Sequence, residues 1–335
     1  MKRHAFFLLF IAALFGVTAF PDFGLGNEPK TIFTLADPRG DDHGDGSLRY
    51  PLRNDLHTGD LDIISFSARP ESNGTLFEAA FAGRIAPADR TTIDQIGGTI
   101  QDIARFGFYT LNIDIYIDTD RIAGSGHTEM LPGRLAEINP ANAWEKTICL
   151  TPRPFDSREA LKRIWAGKAK QEMKLRDGRI DDEKMAVIES DIARDVAINV
   201  FFPTKISVMG SKIQFFVPAS FLGSTAKATW SYVVAITGAD IEQRFDFSKA
   251  LSILDSANNR LMNLAISPGL SKDRFGGGRE GDELQPPLVD IIAPAGMQQE
   301  KILKDYDPRT KHSAQLPGVV PAEQAPAPQT SPAIK

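Results

Sequence analysis

The chain has 335 residues, of which 42% are hydrophobic and 24% charged, an ordinary globular composition that excludes wholesale disorder. Its formal net charge is −5 and no basic cluster dominates, so the electrostatic footprint of a nucleic-acid partner is absent. At roughly 100–200 residues per domain, the length suits about two domains or one enlarged β-sandwich.

In chain order, residues 1–19 come first as a signal peptide. Lys2, Arg3 and His4 precede an apolar run over 5–17, and Val17-Thr18-Ala19 supplies small residues for cleavage after Ala19. The run is shorter than the ~20 residues of a spanning helix, so no stable membrane insertion is expected after cleavage. A folded domain is then expected over 30–307.

Residues 31–35, 61–68 and 76–81 read as strands, each bounded by Gly, Pro or Asp. Directly after the first lies Asp37-Pro38-Arg39-Gly40-Asp41-Asp42-His43-Gly44-Asp45-Gly46. Asp37, Asp41, Asp42 and Asp45 sit on a backbone loosened by glycines and can converge on one point. Calcium takes six to eight oxygens and suits such loops, although the spacing is not that of an EF-hand. A surface turn reads equally well, since Asp and Gly favour turns. Zinc fits poorly, because His43 and His57 lack paired spacing.

The clearest strand is 110–118. Leu111, Ile113, Ile115 and Ile117 fall on one face and Asn112, Asp114, Tyr116 and Asp118 on the other, the pattern of a half-buried strand. Asp118 and Asp120 follow as a second acidic pair, placed to close the same ion site. Cys149, the single cysteine, lies in an apolar run and reads as a small buried hydrophobe. Residues 156–200 break the β pattern. Leu161, Ile164 and Trp165, then Met185, Ile188, Ile192 and Val196, recur at helical spacing, with Asp177-Gly178 as the turn of a hairpin and Asp156 or Ser157 as the first cap. This insertion is expected to pack on the flank of the β domain.

Further strands are expected at 212–217 and 230–236. The run Phe275-Gly276-Gly277-Gly278-Arg279-Glu280-Gly281-Asp282 lacks a Gly-Lys-Ser/Thr ending and reads as a loop needing positive φ or close backbone approach. From 308 to 335 Pro alternates with Ala, Gln and Ser, which reads as a disordered tail. Many short punctuated strands with one helical hairpin give a mainly β fold, a sandwich or barrel.

Tyr50 and Trp144 lie nearer loops and offer faces on which a sugar ring could stack, whereas Trp165 and Trp230 read as core. No Gly-x-Ser-x-Gly, His-Glu-x-x-His or Rossmann fingerprint occurs, and no carboxylate pair is singled out for glycoside hydrolysis.

Three separated motifs occur in one order. They are Phe33-Thr34-Leu35-Ala36-Asp37-Pro38-Arg39-Gly40-Asp41-Asp42-His43-Gly44 with Asp60-Leu61-Asp62-Ile63; Ile113-Asp114-Ile115-Tyr116-Ile117-Asp118-Thr119-Asp120 with Leu131-Pro132-Gly133-Arg134; and Asp273-Arg274-Phe275-Gly276-Gly277-Gly278 with Val289-Asp290-Ile291-Ile292-Ala293-Pro294 and Gln299. Together they resemble the C-terminal binding module of glucodextranase. The resemblance implies an immunoglobulin/DOMON-like β-sandwich that holds a polysaccharide or cell-wall glycan without catalysis, secreted to the periplasm or cell surface. It also implies that the acidic loop binds Ca2+. No catalytic domain accompanies the matched region, so glucodextranase activity is not expected to carry over. Around Ser47-Leu48-Arg49-Tyr50, only Tyr50 stands where the family tends to have a second aromatic. Two rival expectations remain. One is a DOMON-like haem or small-molecule binder using His43, His57 or His127, and the other a scaffold for envelope proteins acting through the hairpin and tail.

Overall fold

A computed structural model describes residues 30–88, 99–178, 181–240, 260–280 and 283–324. The expected signal peptide lies outside these residues, as do 325–335 of the tail and Gly281-Asp282 of the glycine-rich run. The chain forms β1 (Phe33–Ala36), β2 (Ile63–Glu71), β3 (Gly74–Phe81), a short α1 (Ile100–Ile103), β4 (Leu111–Asp118), β5 (Ala136–Ile138) and β6 (Lys146–Leu150). Helices α2 (Pro154–Asp177) and α3 (Asp182–Asn199) follow, then β7 (Val200–Phe201), β8 (Ile206–Met209), β9 (Lys212–Pro218), α4 (Ala219–Leu222) and β10 (Ser231–Gly238). Last come β11 (Ala265–Ile266), β12 (Arg274–Phe275), β13 (Asp290–Ile291), α5 (Gln299–Leu303) and β14 (Ala314–Leu316).

One five-stranded sheet has the order β1-β2-β3-β9-β8 and the other β13-β10-β4-β6-β7. The first is antiparallel throughout, and the second departs from that only where β6 meets β7. Their inner faces share one core, in which Phe33, Phe66, Phe77 and Phe215 meet Ile113, Ile115, Tyr232 and Val234. The Phe33 and Tyr232 rings lie 4.7 Å apart across the sheets. The fold is therefore mainly β, a sandwich, with the expected helical hairpin inserted.

The pattern in β4 predicts one wet face, yet all eight of its residues are buried. A second apolar layer covers the outer face, built from Ala160, Leu161 and Val196 of the hairpin with Leu131, Ile138 and Leu316. The hairpin thus lies over a sheet face. Its apolar stripe is as expected, with Ile188 and Val196 buried, but neither Asp156 nor Ser157 caps α2. Pro154 stands at the start with Arg153 before it, since proline's fixed φ suits a first helical turn whose N–H would be unpaired anyway. Gly178, at φ 80°, ends α2 where the turn was expected.

The expectation of a disordered tail from 308 also needs correction. β14 pairs in parallel with β5, matching Leu316 to Ile138, and Val319 exchanges backbone hydrogen bonds of 2.8 Å with Tyr232. Ala314 and Leu316 fill the outer core, and the prolines flank this apolar segment without interrupting its pairing.

Covering the outer face of β4 buries polar side chains, which must then be paired. Arg134 and Asp114 are both 0% exposed. Arg134 Nε donates to Asp114 Oδ2 at 2.6 Å and Nη2 to Oδ1 at 3.1 Å, while Nη1 donates to the Leu261 carbonyl at 2.6 Å. Burial alone would lower the Arg134 pKa, but the Asp114 carboxylate outweighs it and moves the pKa up. Arg134→Met should destabilise the protein by about 3–5 kcal/mol because it strands a buried carboxylate, and adding Asp114→Leu should recover much of that loss. Denaturant midpoints of the single and double variants check this, and a double variant as unstable as the single one would contradict it.

Candidate metal centre

The acidic loop after β1 is folded against β13 and α5. Gly44 N–H donates to the Val289 carbonyl at 2.8 Å. Gln299, at the start of α5 and 5% exposed, accepts from Ile291 N–H at 2.7 Å and donates to the Asp41 carbonyl at 2.5 Å. The glycine-rich run closes the other side. Arg49 and Gly276 exchange backbone hydrogen bonds at 2.9 and 2.8 Å. Gly277 adopts φ 92°, and a Cβ there would run into the Ser47 carbonyl. The close-approach reading of this loop therefore holds at Gly277.

These contacts bring carboxylates from distant parts of the chain to one place. Asp37, Asp41 and Asp290 each offer an oxygen within 4.8 Å of the others. Asp42 and Asp62 flank them, at 0% and 3% exposure. Five oxygens here are buried without a hydrogen-bond partner: Asp37 Oδ2, Asp41 Oδ1, Asp42 Oδ1, Asp62 Oδ1 and Asp290 Oδ1. The opposite oxygens of three of these residues are anchored. Asp42 Oδ2 accepts from Gly59 N–H at 2.6 Å, Asp62 Oδ2 from Gly40 N–H at 2.7 Å, and Asp290 Oδ2 from Ile63 N–H at 2.7 Å. The one ion-pair contact to the five among the described residues is His43 Nε2 to Asp42 Oδ1, at 4.0 Å.

Burial, the largest cause in each case, raises the pKa of Asp37, Asp41, Asp62 and Asp290, and neighbouring carboxylates add to it. Asp37 is pushed up to about 8 by desolvation and by Asp41. Asp290 rises well above the usual range through desolvation, Asp37 and Asp41. Asp41 and Asp62 also rise, with burial the largest cause in each. An all-oxygen set carrying several like charges suits a hard divalent cation, and calcium tolerates its irregular geometry best. The orphaned buried oxygens are what such an ion would satisfy.

Of the six expected metal ligands, Asp37, Asp41 and Asp42 lie at this centre. Asp45 does not face it: Oδ1 accepts from Ser47 N–H at 2.9 Å and its hydroxyl at 2.6 Å, and Oδ2 from Gln285 at 3.2 Å. It shapes the turn. Asp118 and Asp120 do not close this site either. Ile236 of β10 pairs with both Asp290 and Ile113, while Ser231 pairs with Asp118. Asp118 therefore lies five residues further along β4, about 16 Å at ~3.3 Å per residue. Sequence reasoning missed Asp62 and Asp290 as members of this cluster. The available signal was a charge inside an apolar run, Val289-Asp290-Ile291-Ile292.

The sugar-stacking expectation for Trp144 is corrected as well. Trp144 is 2% exposed, packs 4.7 Å from His127 and 5.8 Å from Tyr116, and donates Nε1–H to the Glu129 carbonyl at 3.0 Å. Tyr50 sets its ring edge-on to Phe275 at 5.6 Å and donates its hydroxyl to Asp42. Burial and the Asp42 charge raise the phenol's pKa, so it remains a donor that orients Asp42. His57 and His127 are exposed and His43 half-buried.

Beside the carboxylates opens a cleft of about 660 Å³, walled by Ala36, Pro38, Ala293, Pro294 and Met297, with Asp37 and Asp41 at its edge. A sandwich whose loops converge beside such a cleft has the build of a binding module. The chain belongs to the family of the C-terminal, SLH-like binding module of glucodextranase, whose model matches residues 32–318. A search of curated proteins finds no match to the chain.

The raised Asp37 pKa fixes the sign of a pH effect. Between 3.8 and about 8 the folded state keeps a proton that the unfolded chain has released, so stability falls as pH rises through that window. In chelator, the melting temperature should drop between about pH 5 and 8, and millimolar calcium should cancel the drop by replacing the protons. A flat profile in chelator, with no response to calcium, would contradict the reading of this cluster.

Proposed function

We propose that the protein is an exported, non-catalytic module that binds a polysaccharide or cell-wall glycan in the cleft beside the acidic loop, with Ca2+ ordering that loop. The observation that carries the reading is the set of five buried, unpartnered carboxylate oxygens, of which those of Asp37 and Asp41 belong to residues lining the cleft. Asp37, Asp41 and Asp290 would hold the ion with Asp42 and Asp62 alongside, and Tyr50 and Gln299 would position the loop around it. Membership of a binding-module family supports a role in holding a ligand without transforming it.

The cleft has the right chemistry for a glycan. Alanine, proline and methionine line it beside carboxylates and Gln298, so CH-rich sugar faces meet apolar wall while hydroxyls meet acceptors and amides. The leader-like residues 1–19 support export to the periplasm or cell surface. No helix of the described residues is long and apolar enough to cross a membrane.

Two substitutions separate the ion from the glycan. Ala295→Trp should fill the cleft, abolishing binding to an immobilised α-glucan or cell-wall polymer while leaving calcium affinity unchanged. Asp290→Asn should weaken calcium about tenfold or more and lower glycan binding at limiting calcium. Glycan arrays with and without calcium, alongside calorimetric calcium titrations, provide the readout. Empty arrays in saturating calcium would sink the glycan reading, and unchanged glycan binding by Ala295→Trp would remove it from this cleft.

A further inference from the structure

We infer that the protein has a second, independent site for a hard divalent cation at the far end of β4, formed by Asp118, Asp120 and Glu145. Their ligand atoms lie within 4.8 Å of one another. Carboxylates often cluster at surfaces without an ion, so proximity alone decides nothing. Asp118 supplies the further observation. It is 1% exposed, and its Oδ2 is buried with no hydrogen-bond partner. Glu145 Oε1 is likewise buried and unpartnered.

Each of these two side chains is held by its other oxygen. Asp118 Oδ1 accepts from Arg121 N–H at 2.6 Å. Glu145 Oε2 accepts from Thr119 N–H at 2.7 Å and from its hydroxyl at 3.1 Å. Asp120, on the exposed side, accepts from Ile122 N–H at 2.8 Å and the Ser125 hydroxyl at 3.0 Å. The backbone has thus spent its donors on aiming the carboxylates. Arg121 pairs with Glu323 at 3.5 Å, and its charge also acts on Asp118, partly opposing the effect of burial. Burial is the first cause that raises the pKa of both Asp118 and Glu145, and Asp120 adds to each.

The donor set contains no nitrogen or sulfur, and three carboxylates with one exposed side leave room for waters. That composition selects calcium over zinc or copper, and over magnesium, which keeps most of its own waters and uses one or two carboxylates. An ion here would tie the loop after β4 to the residue that leads into β6. It would brace the sheet at the end opposite the Asp37–Asp41–Asp290 centre.

The test counts ions. Full-length protein, stripped and reloaded with calcium, is dialysed to equilibrium and its metal content measured, with terbium luminescence as a second reading. Wild type should hold two ions per chain. Asp118→Asn/Glu145→Gln should hold one and keep the pH-dependent stability assigned to the other centre, whereas Asp290→Asn should lose the other ion. Asp120→Asn, an exposed change that leaves the buried pair intact, should weaken one ion about tenfold and guards against misfolding of the double variant. An unchanged ion count and unchanged affinities in both the double variant and Asp120→Asn would overturn this site while leaving the first centre standing. A wild-type count of one that Asp290→Asn abolishes would do the same.

Discussion

Carboxylates whose buried oxygens lack a hydrogen-bond partner, with only Arg39 and His43 as cationic neighbours among the described residues, constrain this molecule more than any other feature. The sandwich can tolerate Asp37, Asp41, Asp42, Asp62 and Asp290 together only if something offsets their repulsion and desolvation, because each unpaired buried charge opposes folding. Protons are one answer, and the pKa values of Asp37, Asp41, Asp62 and Asp290 rise accordingly. A cation would be the other, held by the bare oxygens of Asp37, Asp41 and Asp290. Much of the surrounding structure makes sense as support: Gln299 strutting the loop to β13, Tyr50 steadying Asp42, and Gly277 admitting the Ser47 carbonyl.

The Arg134–Asp114 pair shows the alternative solution on the same sheet. There the fold supplies a guanidinium that meets the carboxylate with two donors and spends a further donor on a carbonyl. That arrangement is closed and has no capacity for another ligand. Among the described residues the acidic centre beside the cleft has no arginine hydrogen-bonded to it in this way, although the chain provides one nearby. Within one β-sheet, the difference separates a structural ion pair from a receptive site.

The strands and the hairpin were legible in the sequence because burial writes itself locally, as period two in β4 and as three- and four-residue spacing in α3. Residues 31–46 likewise announced an acidic, glycine-loosened loop. What the sequence hid was long-range. Whether the outer face of β4 was wet depended on a hairpin that packs from elsewhere. Asp290 joins the loop only through the pairing of β13 with β10, and Asp118 leaves it because the register carries it to the other end. Trp144 looked loop-proximal and is core. The apolar residues that fold 314–319 were outweighed by the prolines around them.

A common division of labour argues that these clusters are built for ligands and are not accidents of acidic composition. In Asp42, Asp62, Asp290, Asp118 and Glu145, one oxygen accepts a backbone N–H while the other is buried and bare. Random surface carboxylates would leave both oxygens to water. Turn carboxylates use both, as Asp45 does with Ser47 and Gln285 and exposed Asp120 does with Ile122 and Ser125, so it is the buried, bare oxygen that sets the five apart, and Asp120 is not among them. Using one oxygen to fix direction and withholding the other is costly without a ligand, since the bare atom loses water and gains nothing in return. With a cation in place the same geometry becomes favourable, because aim has already been set by the backbone and little order remains to be imposed on binding.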